Sequence, residues 1–367
     1  MKLYNPTKVY FENGCVAKYG NEIVGKRILI LTGKNSSKAN HSLDDVTDCV
    51  GADAQIAVFD EVESDPSIAA VVKAAKQYRN FKADVCIGVG GGSAIDAAKA
   101  VAVLLANDEY ADIERLFFEE RKARHLPVVA VPTTCGTGSE VTPFSVLTDT
   151  EKNTKRTIFS QLYPQLALVD PRYLRTISYK DCVSTCADAL SHLIEAFLSS
   201  RANDYNRLYS TAGLNLFGEF KDHLSEPGKF EKAGDTVREK MMACAMLGGY
   251  AIAANGTSIP HGLANTITHD LKISHGRSVI LFIPGYLRNF ENREAVDRIV
   301  KMLGFGSVDE LEDYLHFILG SVSVPEKLWH SEIEKMLSNT HKLSSYPYEM
   351  TRDILEKYPG SLFCIQS

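Results

Sequence analysis

The chain has 367 residues and a formal net charge of −6, with 45% hydrophobic and 23% charged residues. This length and composition predict a globular protein with two domains. The modest charge and the lack of a basic run argue against a nucleic-acid partner. No stretch approaches the ~18 apolar residues of a membrane helix, and the first residues lack the apolar core of a signal peptide. We therefore expect a cytoplasmic protein without a membrane partner.

In the first half of the chain, short apolar runs rich in β-branched residues alternate with helical patterns. Such runs are typical of buried strands and lie at residues 26–32, 55–60, 84–89, 126–131, 145–148 and 166–169. Helical patterns lie at residues 44–50, 67–80 and 90–100. This alternation predicts a parallel sheet covered by helices, and such sheets bind ligands outside the carboxyl ends of their strands.

The second half of the chain, after Tyr179, contains long helical patterns and few β-branched runs. One of these patterns, at residues 182–197, predicts a helix that carries several polar side chains. We place the domain boundary near residue 178. The expected fold is an α/β domain with a parallel sheet at residues 1–178, followed by an all-α domain at residues 179–367.

Three consecutive glycines and Ser93 follow the third predicted strand and precede a helix. Their backbone amides and the helix N-terminus favour an anion such as the diphosphate of a dinucleotide. The pattern is not Gly-x-Gly-x-x-Gly and does not follow the first predicted strand, so a merely tight turn is the alternative interpretation. A second loop rich in glycine and hydroxyl groups, at residues 133–139, follows the next strand and favours phosphate binding. Lys99 and Lys155 are further candidate contacts to phosphate or ribose.

Asp188 and His192 lie four residues apart on a predicted helix and therefore share one of its faces. Together with His261 and His275 they could hold one divalent cation, and a carboxylate with imidazoles suits Zn²⁺ or Fe²⁺. Glu195 lies on the same side of the helix, and we interpret it as supporting a ligand or forming a salt bridge. Spacing alone does not show that these residues meet, and a lone buried histidine is more often a core residue than a ligand.

The eight cysteines are scattered along the chain without a Cys-x-x-Cys pair, so neither a zinc knuckle nor a disulfide framework is indicated. Cys182 and Cys186 lie four residues apart, shortly before Asp188, and could be metal ligands. Because cysteine is among the most often buried residue types, packing on a buried helix is the favoured interpretation of this pair.

Five parts of the chain resemble the iron-containing (group III) alcohol dehydrogenases, which also include lactaldehyde and propanediol reductases and butanol dehydrogenases. They lie at residues 89–99, 132–142, 168–171 and 188–197 and at the pair His261 and His275. The resemblance implies an N-terminal dinucleotide-binding domain and a C-terminal helical domain for metal and substrate, the architecture of dehydroquinate synthase.

The resemblance also implies roles for individual residues. The metal ligands would be Asp188, His192, His261 and His275. The residues that line the cofactor would be Gly90, Gly91, Gly92, Ser93, Asp96, Thr133, Thr134, Thr137, Ser139 and Lys155.

The implied reaction is the metal-dependent, NAD(P)-linked interconversion of a small alcohol and its aldehyde. The metal would act as a Lewis acid on the substrate oxygen and lower the pKa of the alcohol. Hydride would pass directly between the carbinol carbon and the nicotinamide. The expected assembly is a homodimer or a larger homo-oligomer.

Three positions depart from the family pattern. Asn265 stands where a histidine often follows the third ligand, Val279 replaces an asparagine after the fourth ligand, and Ala251 replaces an aromatic residue before the third. These changes indicate a pocket for a specialised substrate. His269 is a candidate catalytic residue for proton relay, with a surface or supporting position as the alternative.

The first predicted strand is followed by Gly33, Lys34 and Ser36. An acidic residue at the position of Gly33 would bind the ribose 2′-hydroxyl of NAD and repel the 2′-phosphate of NADP. Because this position has no carboxylate, we expect NADP(H) to be favoured over NAD(H).

Two other functions compete with this interpretation. A lyase of the dehydroquinate synthase kind would use NAD and metal without net oxidation, but it would need a dense cluster of lysine and arginine near the metal helices. The sequence does not show such a cluster. A non-catalytic metal- or nucleotide-binding protein is disfavoured because all four candidate ligands are intact.

Overall fold

The structure is a computed structural model. It describes residues 4–51, 53–107, 112–119, 122–152 and 154–366, apart from the side chains of Asn265, Thr266 and His269. The described residues form two compact units, which divide between Ile177 and Ser178. Among the helices described, none is long and apolar enough to cross a membrane.

The first unit is built around a parallel sheet with the strand order β1-β8-β5-β4-β2-β3. The strands β6 and β7 form a separate antiparallel pair. The elements are, in chain order, β1 (Lys8–Phe11), α1 (Cys15–Tyr19), β2 (Arg27–Thr32), α2 (Ser36–Ala39), α3 (Ser42–Cys49), β3 (Gln55–Phe59), α4 (Ile68–Tyr78), β4 (Val85–Gly90), α5 (Gly92–Ala106), α6 (Ile113–Phe118), β5 (Val128–Pro132), β6 (Val146–Asp149), β7 (Thr154–Thr157) and β8 (Leu166–Val169).

The strand order reverses beside β2, and this reversal marks the place where a parallel sheet is expected to bind a ligand. From β2 the chain moves outward to β3, and it then returns to the other side of β2 through β4, β5 and β8. In open parallel sheets, ligands bind at the carboxyl ends of the strands where the order reverses. That point lies between β2, which ends at Thr32, and β4, which ends at Gly90.

Alternating side chains of the central strands build a core on each face of the sheet. Leu29 and Leu31 pack on the face covered by α4 and α5, whereas Ile28 and Ile30 pack on the face covered by α1 and α3. All four side chains are buried. Burying each one stabilises the fold by about 1.5–3 kcal/mol, so the sequence of β2 favours an interior position in the sheet.

The second unit is mostly helical. Its elements are α7 (Tyr179–Leu198), α8 (Arg207–Phe220), α9 (Pro227–Glu231), α10 (Asp235–Asn255), α11 (Ile259–Asp270), α12 (His275–Ile280), α13 (Ile283–Arg288), α14 (Arg293–Met302), α15 (Val308–Leu319), β9 (Val322–Pro325), α16 (Glu326–Ser338), α17 (Thr340–Leu343), α18 (Arg352–Leu355) and β10 (Phe363–Gln366). The prediction of an α/β unit followed by a helical unit is confirmed.

Three details of the fold were not predicted from the sequence. The strands β9 and β10 form a small parallel sheet in the second unit, which is therefore not purely α-helical. The first unit contains β1 and β7 in addition to the six predicted strands. The glycine turn consequently follows the fourth strand, and the prediction that it follows the third is wrong, because the four-residue edge strand β1 has no continuous apolar run.

Helix α7 lies at the centre of the second unit, where it packs against α8, α10 and α12. Ser178 begins it by accepting a hydrogen bond from the backbone N–H of Asp181 at 3.1 Å, a common N-cap arrangement. From Cys186 to Leu198 every residue of α7 is buried. A buried polar side chain destabilises the fold unless it is paired, so the carboxylates and the histidine on this stretch require partners.

Candidate functional site

One carboxylate oxygen on α7 is surrounded by three histidines. Asp188 Oδ1 lies 3.7 Å from Nε2 of His192, 3.5 Å from Nε2 of His261 and 3.9 Å from Nε2 of His275. The ligand atoms of Asp188, His261 and His275 all lie within 4.8 Å of one another. The side chains are only 5%, 7%, 8% and 26% exposed for Asp188, His192, His261 and His275 respectively. The structure thus brings together all four predicted metal ligands.

A close helix contact brings His275 to this cluster. His275 is the first residue of α12, and Gly276 follows it against α7. A Cβ atom at Gly276 would lie 1.9 Å from the carbonyl oxygen of Ser184, so only glycine fits there. The Ser184 hydroxyl also donates a 2.7 Å hydrogen bond to the hydroxyl of Ser274. Both contacts hold the start of α12 against Ser184, which lies one turn before Asp188 on α7.

Glu195 sets the orientation of His261. Its Oε1 pairs with Nδ1 of the His261 ring, and its Oε2 accepts a hydrogen bond from the backbone N–H of Ser258. The His261 ring stacks on His192 with 4.7 Å between the ring centroids. With Nδ1 turned to Glu195, the lone pair of Nε2 faces Asp188.

The unsatisfied atoms of the cluster fit a divalent cation. Within the described part of the chain, neither Asp188 Oδ1 nor His261 Nε2 has a hydrogen-bond partner, although both atoms are buried. An unpaired buried polar atom costs about 1–3 kcal/mol. Ligand atoms about 2.1 Å from a tetrahedrally coordinated ion lie about 3.4 Å apart, which is close to the separations of 3.5–3.9 Å found here.

The charges favour the ionisation states that metal binding requires at Asp188 and His192, whereas at His261 the carboxylates of Glu195 and Asp188 outweigh burial and raise the pKa. Burial raises the pKa of Asp188, but the three neighbouring imidazoles outweigh this effect and hold the pKa below its usual range. Burial lowers the pKa of His192. A deprotonated carboxylate and a neutral imidazole are the forms that ligate a metal.

Cys182 and Cys186 are placed by the structure in a sulfur-rich part of the core. Their Sγ atoms lie 4.0 Å apart, and the sulfur of Met241 lies 3.8 Å from Cys182 Sγ. Both cysteines are at most 1% exposed. Burial fits the packing interpretation of the pair, whereas the clustered sulfurs leave metal binding as the alternative.

The glycine turn lies at the carboxyl end of β4 and packs directly against the loop at residues 133–139. Gly90 has φ +149, which disfavours other residues. A Cβ atom at Gly92 would lie 2.6 Å from the side chain of Thr137, and one at Gly91 would lie 3.2 Å from that of Thr134. The two loops predicted to bind phosphate therefore form one surface, with the N-terminus of α5 behind it.

Asp96 and Lys99, both on α5, hold the loop at residues 133–139 from its buried side. The Ser139 hydroxyl donates a 2.5 Å hydrogen bond to Asp96, whose other oxygen accepts from the backbone N–H of Val146 at 3.0 Å. Lys99 Nζ is fully buried and donates to the carbonyl oxygens of Ser139, Thr142 and Phe144. Burial lowers the pKa of Lys99 to about 8. Lys99 therefore anchors the loop and does not reach a ligand, contrary to the prediction of a phosphate or ribose contact.

Lys155 and Ser93 meet through Asp65. Lys155 Nζ lies 2.7 Å from Asp65 Oδ1, and the backbone N–H of Asp65 donates to the Ser93 hydroxyl at 3.1 Å. The Lys155 side chain is only 13% exposed. A cation is thus held beside the start of α5, where a phosphate group would also be attracted.

Gly33, Lys34 and Ser36 follow the neighbouring strand β2. Gly33 is half-buried, whereas Lys34 and Ser36 are exposed, and Ser36 begins α2. The hydroxyl of Thr32 donates to that of Ser37 at 2.7 Å and ties α2 to the end of β2. These residues lie at the point where the strand order reverses, as expected for a nucleotide contact.

The comparisons with known proteins decide the family. Residues 6–171 match the model of the iron-containing alcohol dehydrogenases, and residues 182–344 match the C-terminal model of the Fe-containing alcohol dehydrogenase family. A crystal structure of an iron-containing alcohol dehydrogenase from Thermotoga maritima is 35% identical in sequence, with a TM-score of 0.90. The match covers 98% of this chain and 99% of that one. The chain belongs to the iron-containing alcohol dehydrogenase family.

Two further relatives align over different shares of their length. The bifunctional aldehyde-alcohol dehydrogenase of Escherichia coli K12 is 29% identical over 91% of this chain, which corresponds to 39% of that protein. The chain thus spans well under half of that relative. The NADPH-dependent butanol dehydrogenase of Clostridium saccharobutylicum is 29% identical over 82% of this chain and 77% of that protein.

Two residues singled out from the sequence have side chains outside those described. Nothing is described for the side chains of Asn265 and His269, although both belong to α11. The proton-relay role of His269 therefore stays a prediction. Ala251 and Val279 are both fully buried.

Two polar contacts were not found from the sequence. Glu195 was expected to support a ligand, but His261, 66 positions away, could not be named as its partner. Asp65, which joins Lys155 to Ser93, was not singled out. A signal for Glu195 exists in the spacing of His192 and Glu195, because a carboxylate three residues after a helical ligand lies on the same side of the helix.

Proposed function

We propose that the chain is a metal-dependent, NAD(P)-linked alcohol dehydrogenase or aldehyde reductase that acts on a small alcohol or aldehyde. The observation that carries the proposal is the buried Asp188 Oδ1, which has three imidazole nitrogens within 3.9 Å. Membership of the iron-containing alcohol dehydrogenase family supports it. The relatives reported above are alcohol dehydrogenases, so the alternative of a dehydroquinate synthase-like lyase gains no support.

In this proposal, Asp188, His192, His261 and His275 hold Fe²⁺ or Zn²⁺. When bound, the ion polarises the substrate oxygen and lowers the pKa of the alcohol. The four side chains would hold the ion, and their burial limits the access of water to the charges they carry. Because carboxylate and imidazole suit both metals, the ligand set does not distinguish iron from zinc.

The nucleotide is proposed to bind the first unit at the reversal point of its sheet. The backbone amides of the glycine turn and the N-terminus of α5 attract its diphosphate. Thr134, Thr137 and Ser93 are half-buried at the same surface and offer hydroxyl groups. The exposed Lys34 and Ser36 favour the 2′-phosphate of NADP(H), and the relative from Clostridium saccharobutylicum is named as NADPH-dependent.

The direct test is an assay of cofactor oxidation with small carbonyl compounds. Purified protein is loaded with Fe²⁺ or with Zn²⁺ without oxygen, and NADPH or NADH oxidation is followed with a panel of short aldehydes. We expect oxidation that requires both aldehyde and metal and that is faster with NADPH. Protein treated with a chelator and then reloaded with metal is the control.

Two outcomes would contradict the proposal. Protein that binds metal and NADPH but does not oxidise the cofactor with any of the carbonyl compounds would favour a non-catalytic binding protein. Turnover of a substrate without net oxidation of the cofactor would favour the lyase alternative. A cytoplasmic location and a homodimeric or larger assembly stay predictions from the sequence.

A further inference from the structure

We propose that Glu195 is a positioning residue that determines how tightly the metal is held, by fixing the ring of His261. The inference rests on the proposed metal site. Glu195 lies on α7, one turn after the ligand His192, and is fully buried. Its two carboxylate oxygens contact the first residues of α11, which carries the ligand His261, and the residue before that helix.

The first contact selects the state of the imidazole ring. Glu195 Oε1 is paired with Nδ1 of His261, which places the proton of a neutral ring on Nδ1 and leaves the Nε2 lone pair for the proposed metal. The same contact fixes the rotation of the ring about its bond to the backbone. Without the carboxylate, the ring is free to flip or to carry its proton on Nε2, and both changes remove a ligand from the proposed metal.

The second contact fixes the helix that carries the ring. Glu195 Oε2 accepts a hydrogen bond from the backbone N–H of Ser258, which directly precedes α11. The N–H groups at a helix start have no partner within the helix, and a carboxylate is stabilised there by the helix dipole. One side chain therefore holds both the start of α11 and the ligand three residues further on.

A third group balances the buried charge. The positive charge of Lys342, on α17, acts on Glu195. The Lys342 ammonium is itself held by the hydroxyl of Thr257, which precedes Ser258. The carboxylate is thus supplied with a cation, an imidazole and a backbone donor, which is the set of partners that a buried charge needs.

The consequence is a measurable effect on metal affinity. A carboxylate bonded to the distal nitrogen of a ligand histidine raises the basicity of the ring, and its removal typically weakens metal affinity about 10- to 100-fold. Glu195→Ala is expected to weaken affinity by this factor. Glu195→Gln is expected to weaken it less than Glu195→Ala does, because the amide oxygen can still accept a hydrogen bond from Nδ1, although a weaker one than a carboxylate accepts.

The test uses the full-length protein with Co²⁺ in place of the natural metal. Its affinity is measured by competition with a chelator, and its visible absorption spectrum reports the geometry of the ligands independently of activity. The matched control is Glu312→Ala. Glu312 is also a buried carboxylate that accepts from a backbone N–H, that of Ser361 at 2.6 Å, and it pairs with Arg288. We expect this variant to be less stable but to keep the wild-type cobalt affinity and spectrum.

The outcomes separate this inference from the proposed function. If wild-type protein binds no cobalt, or if Asp188→Ala binds it as tightly as the wild type, the metal site itself is wrong. If Asp188→Ala loses the metal but Glu195→Ala keeps wild-type affinity and spectrum, only the role of Glu195 is overturned. Should Glu195→Ala fail to fold, wild-type cobalt affinity and spectrum in Glu195→Gln would equally overturn the role of Glu195.

Discussion

At the scale of single residues, two buried charges illustrate what distinguishes a ligand from a structural group. Lys99 Nζ is fully buried, but three carbonyl oxygens accept hydrogen bonds from it. Asp188 Oδ1 is equally hidden, yet among the described residues it has no hydrogen-bond donor and faces three ring nitrogens. The satisfied charge stabilises a loop, whereas the unsatisfied one indicates a bound cation.

The preference for NADP(H) depends on the absence of one carboxylate. Gly33→Asp is expected to weaken NADPH binding about 10- to 100-fold, because the carboxylate repels the 2′-phosphate by about 1–3 kcal/mol. NADH binding should be unchanged or tighter, since the carboxylate can accept from the ribose 2′-hydroxyl. Both affinities can be measured by fluorescence titration of the full-length protein.

The control for this prediction is the same change elsewhere on the unit. Gly51 is exposed and precedes β3, and a Cβ atom there would contact nothing within 4 Å. Gly51→Asp adds the same charge at the amino end of the sheet and should leave both affinities unchanged. Equal losses for NADPH and NADH in Gly33→Asp would show that the residue does not face the 2′-position.

The sequence indicates individual ligands better than it indicates their partners. Asp188 and His192 could be paired in advance because helix geometry places residues four apart on one face. His261 and Glu195 could not, because they lie on different helices and their contact depends on how α7 and α11 pack. Lys99 was misjudged for a related reason: its burial follows from the course of a loop 40 positions later.

At the scale of elements, the start of α12 shows how packing builds the site. Its first residue is a predicted ligand, and its second, Gly276, lies against the carbonyl oxygen of Ser184 on α7. The two helices can therefore approach this closely only because Gly276 has no side chain. A shift of α12 away from α7 would move His275 away from Asp188.

Gly276→Ala should loosen the metal site without affecting the nucleotide site. The new Cβ would lie 1.9 Å from a backbone oxygen, so the helices must separate. We expect a loss of about 1–3 kcal/mol in stability, together with weaker metal binding and unchanged NADPH affinity. Thermal unfolding, metal analysis and nucleotide titration measure the three quantities.

Gly228→Ala provides the comparison for this variant. A Cβ atom at Gly228, on α9, meets nothing within 4 Å, so the change should leave metal binding intact. If Gly276→Ala instead retains wild-type metal content and affinity, the close contact between α12 and α7 does not position His275.

Strands with a continuous buried apolar run could be predicted, whereas four short and partly exposed strands could not. The strand β2 is marked by Ile28, Leu29, Ile30 and Leu31, all buried between two helical layers. The strands β1, β7, β9 and β10 each have only four residues and are partly exposed. Their pairing is decided by neighbours distant in sequence, which a local pattern does not record.

At the scale of the whole molecule, the two units would carry different halves of the proposed chemistry. The first presents the glycine turn at the reversal point of a parallel sheet, and the second holds the cluster around Asp188. Hydride transfer requires both a nicotinamide and a polarised substrate oxygen. Each half could be predicted from its own motif, whereas the family assignment rests on matches that cover both units.

The measurement that tests the central claim most directly is the metal content of ligand variants. Wild-type protein, Asp188→Ala and His275→Ala are produced in the same medium, and their iron and zinc are quantified by mass spectrometry. His316→Ala, which removes an exposed histidine on α15, is the control. Because the loss of a supporting residue already weakens metal affinity about 10- to 100-fold, the loss of a ligand should weaken it further. We predict that the wild type and the control carry iron or zinc and that both ligand variants lose it. Full metal content in both ligand variants would contradict the account.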